Sequence, residues 1–451
     1  MRNLTGDATK QYLADGLTDV IVAHLARLPG IDVASPATMA TLRESGDDEK
    51  ALAEKLGVRL LLAGSVLQAD DRISLSVKLI DPREGRTIWG SELERAPSNI
   101  LSARSEIASL IAARLSLVVP PAMSNEGQRL LSAEAQDAFL RALAELNSQA
   151  NTSNARAVAL LARAVTLEPS WADPLAHLAM AQQMTIEFGN PSERSRAAGV
   201  VRANALKAMQ LDPTQSMTYT ALAAVQAYHD WDFAGAEATL RQAVAAEPQD
   251  GTARGRLAFL LAARGRLPEA IVEAATARDQ EPLVPDRHVV LGMVRYYARD
   301  WDAALADMER ALALSPQFAL AHLGKGLVLG ASAKPDEARA SIERALAMAA
   351  NPGWLAAMGI TCARAEAASC VADVTRRLGE LERGGAFVSI DNYAYIAGYQ
   401  HRLDEAFRLL NEAVERRMTN VLWLAVDPRA DALRADPRFD QLIGRMGVLS
   451  R

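Results

Sequence analysis

Residues 285–316 read PDRHVVLGMVRYYARDWDAALADMERALALSP, and this stretch has equivalents at a spacing of 34 residues. Glu247-Pro248, Glu281-Pro282 and Ser315-Pro316 fall at that interval. So do the small residues between them: Ala236 and Ala243, Ala270 and Ala277, Ala304 and Ala311. Within the stretch, Leu291-Gly292 begins the tight part of a first helix. Tyr296, Tyr297 and Trp301 are bulky packers, and Ala304, Met308 and Ala311 sit on a second helix. Small residues are needed where two helices approach closely, because a large side chain would force them apart.

A fixed period of 34 with this pattern is the signature of tetratricopeptide (TPR) helix pairs, a quasi-one-dimensional stack that presents a binding surface. Pro169, Pro213, Pro248, Pro282, Pro316 and Pro352 mark the ends of successive units. The reading gives about eight helix pairs, some degenerate, at roughly 136–169, 172–213, 216–248, 251–282, 285–316, 317–350, 353–383 and 388–417. The longest unit carries an insertion, Phe188–Glu193, read as a loop or extended turn.

The first 120 residues have a different pattern. Leu13, Leu17, Val20, Ile21, His24, Leu25 and Leu28 share one face of a helix over 9–28, which Pro29-Gly30 stops. Ile31–Ala34 reads as a short strand, and Pro36–Glu44 and Glu49–Leu56 as short helices. Val58–Leu67 suits a central strand. Ile73, Leu75, Val77 and Leu79 then alternate with polar residues, a half-buried strand. Asp70-Asp71 and Asp81–Gly85 are turns, Thr87–Leu93 pairs back, and Ile100–Leu117 is a closing helix. Helices over one mixed sheet are the natural packing.

The blocks Asn3-Leu4-Thr5-Gly6-Asp7, Tyr12–Thr18, Leu56-Gly57-Val58-Arg59, Leu62–Val66 and Leu79-Ile80-Asp81, followed by Thr87-Ile88-Trp89, resemble the TolB amino-terminal-like (FlgO-like) domain. The resemblance covers essentially all of 1–118. In bacteria that domain often precedes TPR repeats in signalling proteins and follows an adenylate cyclase or winged-helix DNA-binding domain. The family's first strand, an apolar segment before the Asn-Leu block, is absent here. The expectation is a truncated chain or a late start, with an exposed sheet edge. His229–Glu237, Trp423–Pro428 and Leu433–Leu442 are similar to segments of the TPR arrays in the same proteins. The last is read as a cap with a polar outer face.

Half of the 451 residues are hydrophobic and only 5% are aromatic, a composition that favours stacked helices. Net charge is −6 and unpolarised: residues 1–120 carry 14 Lys/Arg against 16 Asp/Glu, and the remainder 35 against 39. Without a basic stripe, this chain alone is not expected to grip nucleic acid. No apolar run approaches the ~20 residues of a membrane helix, and Met1–Gly6 does not read as a secretion signal. The glycosylation acceptors at Asn3 and Asn151 therefore carry no meaning. Cytoplasmic location is expected, with Cys362 and Cys370 as buried thiols in a reducing compartment.

No catalytic constellation emerges. Gly324-Lys325-Gly326 lacks the spacing of a phosphate loop and lies within a helix. Gly64-Ser65-Val66 is not a nucleophile elbow. His24, His177, His229, His288, His322 and His401 form no metal spacing and are read as packing or surface residues. Asp15 and Asp19 are explained by the helix dipole. No cofactor, metal or catalytic role is expected.

In such an array the first helix of each pair lines the inner face. Aligning the units places Tyr228, His229, Phe259, Met293, Tyr296, Tyr297 and Lys325 there. This apolar, aromatic face suits a protein or peptide partner. The fold class expected is mainly α: a TPR solenoid preceded by a small α/β domain lacking its first strand. The organisation read from sequence is an α/β domain at 1–118, a linker at 119–127 stiffened by Pro120-Pro121, repeats at 128–417 and a capping segment at 418–451. The expected function is a non-catalytic interaction scaffold in bacterial signalling. The alternative is the regulatory portion of an adenylate cyclase or winged-helix regulator whose effector domain is encoded upstream.

Overall fold

The computed structural model describes residues 1–28, 30–35, 37–39, 49–69, 71–119, 131–147 and 153–449. Pro29, Asp70, most of the helix expected at 36–44, the linker beyond Val119 and Asn151-Thr152 lie outside them. The chain forms two compact units, Met1–Ala181 with Leu206–Pro213, and Gln182–Ala205 with Thr214–Arg451.

In the first unit, β1 (Arg2–Asn3), α1 (Gln11–Leu25), α2 (Glu49–Leu56), β2 (Leu61–Ala69), β3 (Arg72–Asp81), β4 (Arg86–Arg95) and α3 (Ser102–Leu115) precede two helices, α4 (Ala133–Leu146) and α5 (Ser153–Leu167). The sheet order is β1-β2-β3-β4, with β1 parallel to β2 and the rest antiparallel. The alternation expected for β3 holds: Ile73, Leu75 and Val77 turn inward. They meet Val66 and Leu93 beneath α1 and α3.

Two strand expectations change. Ile31–Ala34 is not a strand; Ile31 and Val33 pack onto the core by their side chains alone. The free side of β2 is taken instead by Arg2 and Asn3, opposite Ser65 and Val66. The sheet thus has a first strand, reduced to two residues.

The core runs on without a break from sheet to α4 and α5, joining Leu17 and Ile107 to Phe139, Leu143 and Leu161. A Cβ on Gly16 would lie 3.0 Å from the carbonyl oxygen of Leu140, so α1 and α4 touch backbone to backbone there. Beside the contact, the Tyr12 hydroxyl donates to Asp137 at 2.5 Å and Arg141 lies 4.1 Å above its ring. Burial and the Asp137 carboxylate push the Tyr12 hydroxyl up to about 12. Asp19 lies two turns into α1, and the Asn147 side-chain amide donates to it.

α6 (Ala172–Phe188) and α7 (Pro191–Leu211) cross the unit boundaries. The expected insertion between them is a tight turn in which Asn190 accepts from the backbone of Ser192 and Glu193. The second unit continues through α8 (Ser216–Ala224), α9 (Phe233–Ala246), α10 (Gly251–Ala263), α11 (Leu267–Gln280), α12 (Pro285–Tyr297), α13 (Trp301–Leu314), α14 (Ala319–Ala331), α15 (Pro335–Met348), α16 (Pro352–Arg364), α17 (Ala368–Arg383), α18 (Ile390–Tyr399), α19 (Leu403–Glu415) and α20 (Pro437–Met446). The alanines that set the period, Ala236, Ala243, Ala270, Ala277, Ala304 and Ala311, are all fully buried, as are Ala338 and Ala345.

A second period was not visible in the residue types. Trp231, Gly265, Arg299, Ala333, Glu366 and His401 all have positive φ, between 55° and 78°. Each ends the first helix of a pair in the left-handed conformation that reverses the chain. Histidines reinforce the longer turns: His288 Nε2 lies 2.9 Å from the Pro282 carbonyl oxygen, and His322 Nε2 lies 3.0 Å from that of Pro316.

The cysteine expectation is corrected. Cys362 near the end of α16 and Cys370 near the start of α17 are joined as a disulfide, their Cα atoms 5.9 Å apart across the turn. The eight-residue spacing spans a helix reversal, which brings the two sulfurs together.

Two stability outcomes follow from these contacts. Ala333→Gly removes the Cβ from a left-handed position, and should raise stability by about 0.5–1 kcal/mol in urea unfolding. Gly326→Ala places a Cβ 2.5 Å from Ile342 Cγ1 and 3.0 Å from the Ala338 carbonyl. It should cost about 1–3 kcal/mol. Gly324→Ala meets chiefly the movable thioether end of Met308 and should cost less; equal costs would show that backbone approach is not what the glycine serves.

Candidate interaction face of the repeats

The seven residues expected on the inner face separate in the structure. Tyr228, Phe259 and Tyr297 come together, and Tyr296 lies beside Tyr297 at 5.6 Å between ring centroids. Met293 instead packs with Val289, Met308, Ala311 and Ala321, between helices. Lys325 turns toward α13 and pairs with Glu309 at 2.9 Å. His229 Nδ1 lies 3.0 Å from Asp230, which also receives two bonds from Arg202.

Local chain geometry creates the ring cluster. The end of the α8 arm loosens into a π-turn over Val225–Asp230, which carries Tyr228 inward. Beside it, Arg256 pairs with Glu187 at 2.7 Å in a half-buried position. Burial and the Glu187 charge push the Tyr228 hydroxyl well up. Burial, with Asp427 nearby, does the same to Tyr297. These phenols stay neutral at any physiological pH and act as apolar surface with a polar tip.

The face is already covered, by a segment that sequence reasoning took for an end cap. Short 3₁₀ turns at Thr419–Trp423 and Pro428–Leu433 lie along the first helices. Trp423 inserts among the rings, 6.2 Å from Tyr228, 6.3 Å from Phe259 and 6.5 Å from Tyr297, which it stacks at 10°. Its indole N–H donates to the Phe259 carbonyl at 3.0 Å. Val421, Leu422 and Leu424 are fully buried.

Arginines hold the segment's backbone. Arg194 donates to the Arg417 carbonyl at 2.5 Å and to the Thr419 hydroxyl at 2.8 Å. Arg364 donates to the Pro428 carbonyl at 2.9 Å, joined there by the Tyr399 hydroxyl at 3.2 Å. In the other direction, Arg417 donates to the carbonyls of His229 and Asp230, the end of the π-turn. Arg299 forks both nitrogens onto Asp431 at 2.6 and 2.8 Å. Burial would raise the Asp431 carboxyl, but hydrogen bonds from Arg299 and Arg434 prevail and hold it below its ordinary 3.8.

Trp423 entered the sequence reading only as the start of the terminal block Trp423–Pro428, and Asp431, Arg194, Arg299 and Arg364 did not enter it as site residues. A lone tryptophan in a terminal segment was the available signal. Among the described residues, no group of three or more His, Cys, Asp and Glu is placed to hold a metal ion. No described helix is long and apolar enough to cross a membrane.

Comparison with known proteins agrees with the helix-pair geometry. A tetratricopeptide repeat family model matches residues 227–288. "Putative adenylate cyclase 3" of Rhizobium meliloti (strain 1021) is 27% identical over 180 residues, 40% of this chain and 31% of the relative. The match thus spans under a third of that relative's length. Among solved structures, the chain is similar to a thermophilic TPR protein of Thermus thermophilus (20% identity, 51% of this chain, 98% of that one, TM-score 0.31). It is also similar to human IFIT1 (13% identity, 70% and 78% covered, TM-score 0.45).

The Asp431 fork makes a pH-dependent difference. Its carboxylate contributes stability that is fully present above 3.8 and is lost as pH falls through the lowered folded-state value. Asp431→Asn should therefore cost about 0.5–1 kcal/mol at neutral pH, the pair being partly solvent-screened, and the gap from wild type should close in acid. Urea unfolding of both proteins across that range checks it; a constant gap would mean the charge is not its source.

Proposed function

We propose that this chain is a non-catalytic protein-interaction scaffold in bacterial signalling or regulation. One observation carries the reading: the aromatic cluster of Tyr228, Phe259 and Tyr297 on the first helices, flanked by arginines aimed at backbone carbonyls and a carboxylate. Rigid rings supply an anchor pocket, and arginine forks supply orientation. Nothing in that set of groups pairs a nucleophile with a base.

On this reading the repeats are eight helix pairs over 128–417. The segment 1–118 is a TolB-like module offering a second contact, 119–127 is a linker, and 418–451 is the terminal segment that lies on the face before closing the stack. A cytoplasmic location belongs to this reading, and the Cys362–Cys370 disulfide is the observation that stands against it.

A second reading is favoured by the adenylate cyclase-named relative, of which 31% is matched. Here the chain is the regulatory portion of a cyclase or a winged-helix regulator. An open reading frame encoding an effector domain directly upstream of Met1 supports it; an in-frame stop with no neighbouring effector gene counts against it.

Affinity capture with the full chain, followed by binding between purified components, tests the scaffold. The expected result is a protein partner whose affinity falls at least about tenfold with Phe259→Ala plus Arg299→Ala. Turnover of a nucleotide or peptide by the purified chain, with no binary partner, would reject it.

A further inference from the structure

The groups that hold the C-terminal segment discriminate little by sequence. Arg194 and Arg364 grip main-chain carbonyls of Arg417 and Pro428, which any residue would present. The Tyr399 hydroxyl also donates to Pro428 O. Besides the Thr419 hydroxyl, which accepts from Arg194, and the Arg417 guanidinium, which donates to His229 O and Asp230 O, two side chains of the segment make the anchoring contacts. Trp423 fills the ring cluster and donates to Phe259 O, and Asp431 takes the fork of Arg299. They stand eight residues apart in the chain.

The segment's own charges are largely settled within itself. Asp427, fully buried, accepts from the backbone and guanidinium of Arg429. Arg434 donates to Asp431 and to the carbonyls of Ala425 and Asp427. Lifting the segment off would therefore not strand Asp427 as a lone charge among the helices, the outcome that makes breaking most buried ion pairs costly. The groups left behind would be Arg194 and Asp391, buried now and opened to water by the lifting, Arg299 and Arg364, partly exposed already, and a patch of aromatic rings. An uncovered patch of that kind marks an interaction site.

We propose that Arg417–Arg434 is a built-in pseudo-ligand. It occupies the peptide-binding face of the repeats and is displaced by a partner segment of the same chemistry: a peptide that takes up the same short 3₁₀ turns, with an aromatic side chain followed, about eight residues on, by an acidic one. The inference rests on the scaffold reading and adds its ligand class and its regulation. A tethered segment competes at an effective concentration of about millimolar, so the face is closed to weak partners and opens to those that match both anchors. The apparent affinity of any outside peptide is reduced by the fraction of chains whose segment is lifted.

The test uses the full chain and a fluorescein-labelled synthetic peptide of residues 416–435. Wild type should bind it weakly. The chain carrying Trp423→Ala and Asp431→Ala should bind it at least about tenfold more tightly, because its own segment competes less. Adding Phe259→Ala to that variant should take the gain away. A folded double variant that gains no affinity overturns the proposal, as does a gain untouched by Phe259→Ala.

Should the double variant not fold, hydrogen exchange on the wild-type chain decides. Amides of 418–433 that exchange well before those of α10 and α12 support a liftable segment. Equal protection makes it a fixed part of the core and rejects the proposal. The scaffold reading fails separately: it falls if no binary protein partner exists, whichever way the segment behaves.

Discussion

The second unit depends on the close approach of helices at the alanines of the 34-residue period. Ala236, Ala270, Ala304 and Ala338 are fully buried, and so are Ala243, Ala277, Ala311 and Ala345 one turn pair further on. A helix that meets its neighbour through methyl groups has no space there for rings. The bulky side chains of the first helices must go elsewhere, and Tyr228, Phe259 and Tyr297 collect on one face. Left open, such a cluster would expose contiguous apolar surface. Trp423 and its neighbours cover it, so the tight packing on one side of the helices creates the need for a cover on the other.

The first unit answers a different constraint. A sheet of this size, with one strand of two residues, has little core of its own. Its inward side chains share a continuous core with α1, α3, α4 and α5. Gln136 of α4 shows how closely the parts are fitted: its side chain accepts from the Leu101 amide and donates to the Ser98 carbonyl at the entrance to α3. Sheet and first helices are stabilised together, and the composition shift near residue 120 does not mark the limit of a compact unit.

What could be read in advance was whatever residue type alone enforces. The alanine period and the alternation of β3 follow from side-chain size and polarity, whereas the loop or extended turn expected at Phe188–Glu193 shrinks to Gly189-Asn190 between α6 and α7. The left-handed turns escaped because tryptophan, glycine, arginine, alanine, glutamate and histidine fill one conformational role in successive units. There the backbone geometry repeats while the residue does not. Arg2–Asn3 escaped because two residues carry no alternation, and the disulfide because a spacing of eight fits both one helix and a reversal between two. Met293 and Lys325, expected on the inner face with the rings, make contacts with neighbouring helices that residue type did not foretell. A helix in the middle of a stack also has flanks, and those flanks hold Met293 against Met308 and Lys325 against Glu309.

The same limit explains why the segment over the ring cluster looked like an ordinary end cap. A cap needs apolar residues inward and polar ones outward, and residues 418–434 satisfy that description. The distinction lies in where the polar groups point. Those of a cap need only water, whereas Asp431 is gripped by Arg299 from the turn after α12 and the Pro428 carbonyl by Arg364 from α16 and Tyr399 from α18. Two helices and the turn after a third thus contribute donors to one run of chain. That is the arrangement by which a stacked array reads a peptide along its length, since each repeat contacts only its neighbours and only a ligand running across them can engage several at once.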